Sequence, residues 1–445
     1  MEHNMELQTI LQEQNHLCLN EFIGDLQPFD IAEMVSALDS EEQITFFYLV
    51  TASFGAEILE YLDPELQYKI LLRINEQRKS DLINEMSSDT IVNLFLSVHA
   101  NQGKKLLAYL PENYREKIHH LMNYDPDTAG RLATIDYVAA RIHWTVEQTI
   151  RHIRKVGQEA EIVSYIYVIG RNGDLVGVVS LKDIILADAG TILVEIVQGE
   201  PVSVSVDVHR EEAADVLSKY DLIALPVVTH DQRMIGILTV DDLIDVILEE
   251  ATEDFQKLGG SQPLMDPYFK NSIWSIYRKR IGWLLILFVA EAYTGTVLRH
   301  YEETLSEQIA LAFFVPLLIG TGGNTGSQTV TTLVRAMAVG EVDFKDIFRV
   351  FRKEATTGLF LGLSMGTVAF IRAFFLGVNV NVGAVVAISA MFIVIWASMV
   401  ASVLPMILNK LKVDPAIVSG PFITTLVDGT GLILYFTVAK IILHL

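Results

Sequence analysis

Residues 416–445 read AIVSGPFITTLVDGTGLILYFTVAKIILHL, an apolar stretch of spanning length with one carboxylate, Asp428, near its middle. A bare charge at bilayer depth costs several kcal/mol or more, so such a residue faces a bundle interior or a water-filled path. No Lys, Arg or His lies within two helical turns of it in its own segment. Gly420-Pro421 before it and Gly429 and Gly431 after it are expected to permit a kink and close approach of neighbouring helices. A carboxyl held protonated, or paired with an arginine from another helix, would be a structural element only. The functional reading is a cation site in a pore.

Four more apolar segments precede this one, at about 281–298, 308–338, 355–376 and 383–409, each long enough to span. Basic residues cluster in alternate loops. Arg278, Lys279 and Arg280 precede the first span, Lys345, Arg349, Arg352 and Lys353 follow the second, and Lys410 and Lys412 follow the fourth. The opposite loops hold mainly Arg299 and Arg372. The positive-inside bias puts everything before residue 278 in the cytoplasm and the C-terminus outside; the membrane expected is the plasma (inner) membrane.

Charge divides the 445 residues at the same place. Residues 1–275 carry 20 Lys and Arg against 45 Asp and Glu, whereas residues 276–445 carry 13 against 10. The first block reads as soluble and acidic. Its sign is opposite to what nucleic acid requires and suits cations. Cys18 is the single cysteine, so no intrachain disulfide forms and a reducing compartment is expected. The start, MEHNMELQTILQEQNH, has neither a basic n-region nor an apolar core, so no signal peptide is expected.

Within the acidic block two repeats are legible. Units beginning Leu38-Asp39, Leu62-Asp63, Met86-Ser87 and Leu110-Pro111 recur every 24 residues, each opening on a capping or proline-type residue before apolar positions at helical spacing. That period predicts a helical solenoid over 20–124. Asp89 and Asn93, four apart, share a helix face in its third unit. Adjacent His119 and His120 do not share one and read as surface residues. Between 125 and 252 the pattern becomes alternating strand and helix. SYIYVIGRNGDLVGVVSLKDII (164–185) and ALPVVTHDQRMIGILTVDDLI (224–244) align at one offset of 59, matching Gly177 with Gly236, Ser180 with Thr239 and Asp183 with Asp242. The paired G-x-x-[ST]-x-x-D pattern resembles a tandem pair of cystathionine-β-synthase (CBS) domains, regulatory modules that often hold an adenine nucleotide. By that resemblance Lys182 and Asp183 occupy the positions that would meet it.

The second copy runs into a helix dense with carboxylates, VDDLIDVILEEATEDFQKL (240–258), with Lys257 its only base. Alone, such a run is a solvated face. Joining a sensor to a membrane domain, its like charges repel unless a counter-ion intervenes, and hard divalent cations with oxygen ligands suit it. No His/Cys pattern for zinc is present.

In the second span, FFVPLLIGTGGNTGSQTVTTLVRAMAVGEV tempts a phosphate-loop reading. It lacks a Gly-Lys-Ser/Thr ending and a preceding soluble strand. Gly322 and Gly326 instead form a small-xxx-small surface. Asn324 and Gln328, one turn apart, with carbonyls expected to be freed by Pro316, make a polar stripe. Glu291 is a second intramembrane carboxylate, with Arg335 as its partner or as a snorkelling residue.

This order of parts, with PLLIGTGGNTGSQ at 316–328 and SGPFITTLVD at 419–428, resembles the MgtE-type magnesium transporter family over nearly the whole chain. The resemblance implies a multidomain fold: an α-helical superhelical solenoid (1–124), an α/β CBS pair (125–195 and 196–252), a connecting plug helix (253–277) and an all-α membrane domain of five helices (278–445). It implies no enzyme. It implies a homodimer in the lipid bilayer with its pore along the subunit interface, Asp428 selecting the ion and Asn324 beside it. Cytosolic Mg2+ between the soluble parts and the connecting helix would hold the pore shut. Positions resembling the regulatory carboxylates are Asp89, Glu211, Asp221, Asp242, Asp245, Glu250, Glu253, Asp254 and Asp414. Asn93 and His209 stand where that pattern has acidic residues, and Leu222 and Lys182 where it has Phe and Arg. Mg2+ is then both cargo and regulator, with ATP or another adenine nucleotide at the CBS pair and Co2+ among further divalent cations carried. Two alternatives use the same parts: a membrane-anchored magnesium or nucleotide sensor without transport, and a divalent-metal exporter.

Overall fold

The computed structural model describes residues 2–158, 160–264 and 267–445, which divide into units 1–247 and 248–445. In the first unit the 24-residue period is a pair of short helices. Ser40–Leu49 and Ala52–Glu60 form one pair, Pro64–Arg73 and Glu76–Glu85 the next, Ser88–Ser97 and Ala100–Leu107 the third, and Glu112–Met122 opens the fourth. Each unit begins where a residue unable or unwilling to continue a helix resets the backbone. Asp39 accepts from the amides of Glu41 and Glu42, and Pro64 occupies the first turn, where its missing N–H costs nothing. The period also shows in the core. Buried Gln43 donates to the Val35 carbonyl at 3.0 Å, and Gln67, 24 residues on, donates to the Leu59 carbonyl at 2.8 Å. Satisfying these two carbonyls from within lets Phe46, Phe47, Ile58 and Leu82 pack beside them.

The two CBS copies are two three-stranded sheets. One contains β1 (Tyr137–Arg141), β2 (Ile162–Ile169) and β3 (Leu175–Ser180), and the other β4 (Val204–Ser205), β5 (Ala224–Val228) and β6 (Met234–Thr239). In each the first two strands are parallel across a helical crossover and the last two form a hairpin. The offset of 59 maps β3 onto β6 residue for residue. The hairpin tips meet, since the Leu175 amide donates to the Gln232 carbonyl at 2.9 Å and the Met234 amide to that of Gly173 at 3.1 Å. Tyr167 and Ile237 are buried in the shared apolar cluster.

Helix Val240–Leu258 ends at Leu258 and the next helix begins at Ile273. Residues 253–277 are therefore not one connecting helix. The carboxylate-rich helix starts inside the second CBS copy, the chain turns at Gly259-Gly260, and the first span takes over after a Ser272 cap. Gly260 has φ +74°, which a residue with a Cβ adopts only under strain. Residues 265 and 266 of this stretch lie outside the described residues.

Among its described residues the second unit holds five helices long and apolar enough to cross a membrane. They are Ile273–His300, Val315–Ala338 (after a 3-10 turn at Ile309–Phe314), Ile347–Phe375, Val380–Lys410 and Gly420–Leu443. Pro316 and Pro421 fall in the first turns of their helices, so neither kinks a helix or frees a mid-helix carbonyl. Pro405 is the proline inside a span. The glycines act as expected. A Cβ on Gly322 would lie 2.7 Å from both Ile393 and Val427, and one on Gly362 would lie 2.7 Å from the Met391 carbonyl. Bare backbone at these points lets the second and fifth spans, and the third and fourth, close on each other.

Candidate functional site

The first unit gathers carboxylates at the seam between the solenoid and the CBS pair. The Ser88 amide donates to Asp136 Oδ2 at 3.0 Å, Tyr114 donates to the same oxygen at 3.0 Å, and the Ser88 and Thr134 hydroxyls pair at 2.9 Å. This network fixes the first turn of helix Ser88–Ser97, and with it Asp89, against the CBS pair. Burial raises Asp89 above the ordinary carboxylate range, and Asp136 adds to the shift. Asp242 lies close by, its Oδ2 accepting from Thr239 at 2.7 Å. Burial and then Asp89 push it up to about 7, with Asp241 and Asp245 contributing further. Glu161 stands at the rim and is exposed to solvent. Desolvation, and then Asp89, Glu60, Asp242 and Asp241, push it up to about 8. Glu161 and Glu60 escape sequence reading because neither belongs to the acidic helix or to a repeated motif.

A measurable consequence follows. Asp242 and Glu161 bind protons more tightly in the folded chain than in the unfolded one, so folding takes up protons. Their contribution is greatest below the ordinary carboxylate range near pH 4 and is lost as pH rises through about 7 to 8. Without divalent cations, the full-length protein is expected to melt roughly 2–5 °C lower at pH 8.5 than at pH 6.5. Mg2+ at pH 8.5 should recover the difference, and Glu161→Gln should flatten it. A melting temperature indifferent to both pH and Mg2+ would show that these charges do not repel.

Among the described residues, the structure does not bring Glu211 and Asp221 together. Glu211 begins helix Arg210–Lys219 and Asp221 follows its end at φ +51°, both exposed. Ten residues of helix separate them by about 15 Å, too far to share an ion. His209 caps that helix, accepting from the Glu211 amide at 3.4 Å. Asp183 is held by the Ser180 hydroxyl at 2.6 Å as part of a helix cap, with Lys182 exposed beside it. Among the described residues, no three His, Cys, Asp or Glu side chains already stand as a closed metal cage.

In the second unit, the end of the acidic helix docks beside the start of the fifth span. Lys257 Nζ donates to Glu253 Oε1 at 2.7 Å and to Asp414 Oδ2 at 2.5 Å. Burial alone would lower this ammonium, but the bonds from Asp414 and Glu253 outweigh it and hold its pKa above the ordinary lysine value. Burial raises Asp254, followed by Asp414 and opposed by Lys257, and Glu250 adds to the repulsion. Four of the predicted carboxylates, Glu250, Glu253, Asp254 and Asp414, thus share one neighbourhood with the Lys257 ammonium. Their donor set is hard oxygen, the kind Mg2+ takes. Asp414 also caps the turn Pro415–Ile417, accepting from the Ala416 amide at 2.8 Å. Trp283 donates to Ser419 at 3.3 Å, and Ser419 caps the fifth span. The carbonyls of Gly420 and Pro421 accept from Thr424 and Thr425 at 3.0 Å each.

Asp428 lies eight residues into that span, about 12 Å along it. It is 6% exposed and its Oδ1 has no hydrogen-bond partner. Among the described residues no guanidinium pairs with it, and Glu291 of the first span is near enough for its charge to act on it. Asn324 and Gln328 are exposed, on the side of the second span away from Gly322, Gly323 and Gly326, which pack against the fifth. One protomer therefore does not bring Asn324 to Asp428. Among the described residues Arg335 is exposed and forms no ion pair with Glu291.

Comparison with known proteins agrees with this architecture. A family model described as "Divalent cation transporter" (MgtE) matches residues 315–438, the MgtE intracellular N domain matches 26–127, and the CBS domain matches 129–190 and 193–249. The chain is 37% identical over 443 residues to the magnesium transporter MgtE of Thermus thermophilus, covering 99% of this chain and 98% of that protein. It is 32% identical over 422 residues to its counterpart in Bacillus subtilis, covering 95% and 93%. A crystal structure of the cytosolic domain of the Mg2+ channel MgtE in complex with ATP superimposes with a TM-score of 0.51 at 34% identity, over 55% of this chain and 99% of that one. The soluble part of a magnesium transporter gives a TM-score of 0.53 at 27% identity, over 56% and 98%. Solenoid, CBS pair and membrane helices are matched in one order along one chain, which belongs to the MgtE family of magnesium transporters.

Proposed function

We propose that two copies of this chain form a channel-like pore that passes Mg2+ into the cell and is closed by cytosolic Mg2+. The observation that carries this reading is the continuous connection from the acidic helix to Asp428. Lys257 ties Glu253 to Asp414, Asp414 caps the turn that leads into the fifth span, and that span carries the buried, unpartnered carboxylate. The basic loops orient the acidic unit toward the cytoplasm and the C-terminus outward. Mg2+ gives up water reluctantly, so the ion passes largely hydrated, with Asp428 of each copy supplying charge and outer-sphere acceptors. The membrane potential drives a dication inward with about 4.6 kcal/mol per 100 mV.

Closure follows from charge. At low Mg2+ the carboxylates around Lys257, and those around Asp89 and Asp242, repel. At high Mg2+ ions bridge them and the acidic helix presses on the start of the fifth span. Binding shifts this equilibrium only by its preference for the closed state, so several weak sites act together. Glu211 and Asp221, unable to meet within one protomer, suit ions held between copies. ATP at the CBS pair, near Lys182 and Asp183, and Co2+ as a further cargo belong to the same reading. Purified protein in liposomes should carry Mg2+ inward, with flux falling as Mg2+ on the side of the acidic unit rises from micromolar to millimolar. Flux indifferent to that side would defeat the gating scheme. No flux at all would favour the membrane-anchored sensor.

A further inference from the structure

We propose that Glu291 of the first span is a second cation-interacting carboxylate of the transport path, acting with Thr294 and Asp428 at the seam between the first and fifth spans. The inference rests on the assignment of Asp428 to that path.

The geometry begins with helical spacing. Leu287, Glu291, Thr294 and Leu298 recur at i, i+4, i+7 and i+11, one stripe of the helix. Leu287 and Thr294 on this stripe are buried at 8% and 6% exposure. The stripe meets the fifth span at the residue after Asp428. A Cβ on Gly429 would lie 2.5 Å from the Tyr293 ring and 3.5 Å from Thr294 Oγ1. Glu291, one turn before Thr294 on that stripe, is exposed in the protomer, and no base is paired with it among the described residues.

Two independent observations at this seam point to a ligand. Asp428 Oδ1 is buried without a partner, and so is Thr294 Oγ1. The span threonines Thr296, Thr321, Thr325, Thr424 and Thr430 donate to the carbonyl four residues back, whereas Thr294, like Ser389 and Ser398 of the fourth span, is buried without a partner. Buried oxygens left without a donor are costly. Two carboxylates at bilayer depth with no counter-charge are costlier still. A hydrated dication resolves both, because its water donates to oxygens and its charge answers the pair. Glu291 would raise the ion's local concentration and its preference over monovalent ions, while Asp428 remains the residue without which nothing passes.

The test is Mg2+ flux in liposomes for Glu291→Gln, Glu291→Asp and, in parallel, Asp428→Asn. Glu291→Gln should raise the half-saturating Mg2+ roughly tenfold, with maximal flux kept within about twofold, and Glu291→Asp should restore most of the affinity. An unchanged half-saturation, or a fall in maximal flux alone, would overturn the proposal. Glu291→Cys in a Cys18→Ser background gives a second measurement. A water-soluble cationic thiol reagent should modify position 291, and Mg2+ should slow it; an unreactive or unprotected thiol overturns the proposal. If Asp428→Asn abolishes flux while Glu291→Gln is neutral, only this inference fails. If Asp428→Asn carries Mg2+ like the wild type, the assignment of Asp428 itself fails.

Discussion

Asp428→Ala is expected to abolish Mg2+ uptake by a protein that still folds and assembles. The carboxylate is 6% exposed and one of its oxygens has no partner, so its removal breaks no ion pair and relieves a buried charge. Stability should hold or rise. Transport should not survive, because a dication at outer-sphere distance in a partly desolvated site gains several kcal/mol from each carboxylate. Losing it from both copies should cut flux roughly a hundredfold or more. Fluorescent-dye uptake in liposomes, with size-exclusion chromatography of the same sample, separates the two effects. Wild-type flux from the alanine protein would remove Asp428 from the path, and an aggregated variant would show the carboxylate to be structural.

Gly326→Val is expected to damage packing and transport together. A Cβ at this position falls inside the Ile423 side chain, and valine adds two methyl groups that cannot turn away. The second and fifth spans would have to separate, at about 1–3 kcal/mol or more. Ile423 is five residues before Asp428 on the same helix, so the separation also shifts the carboxylate. Thermal unfolding should drop by roughly 2–10 °C, and flux should fall at least tenfold. Gly320 offers the comparison, since nothing lies within 4 Å of a Cβ built there. Gly320→Val should leave the protomer's packing intact. Equal stability of the Gly326 and Gly320 variants would show that close approach at this seam is not what holds the spans together.

The site was only partly legible beforehand. Asp428 stood out because a lone carboxylate in an apolar run has few explanations, the acidic helix because of charge density, and Asp414 only through the family resemblance. Lys257 looked like an isolated base on that helix, yet it is the link between Glu253 and Asp414, 157 positions further on. Pro316 and Pro421 read as helix breakers within spans and are helix starts, since the same ring that breaks an interior turn fits a first one. Asn324 shares a motif with the glycines that pack against the fifth span but faces the other way, because adjacent helical positions differ by about 100°.

The sequence by itself determined everything that repeats or runs long: the 24-residue solenoid period, the 59-residue offset of the CBS copies, the five spans and the division of charge near residue 278. Those are local quantities, set by the spacing of apolar and capping residues along the chain. Only the tertiary structure decided which oxygens are buried without donors, which carboxylates gather around Lys257, and that Glu291 stands beside the seam carrying Asp428. Burial and pairing depend on what a neighbouring element places within a few ångströms, and no spacing within one segment encodes that.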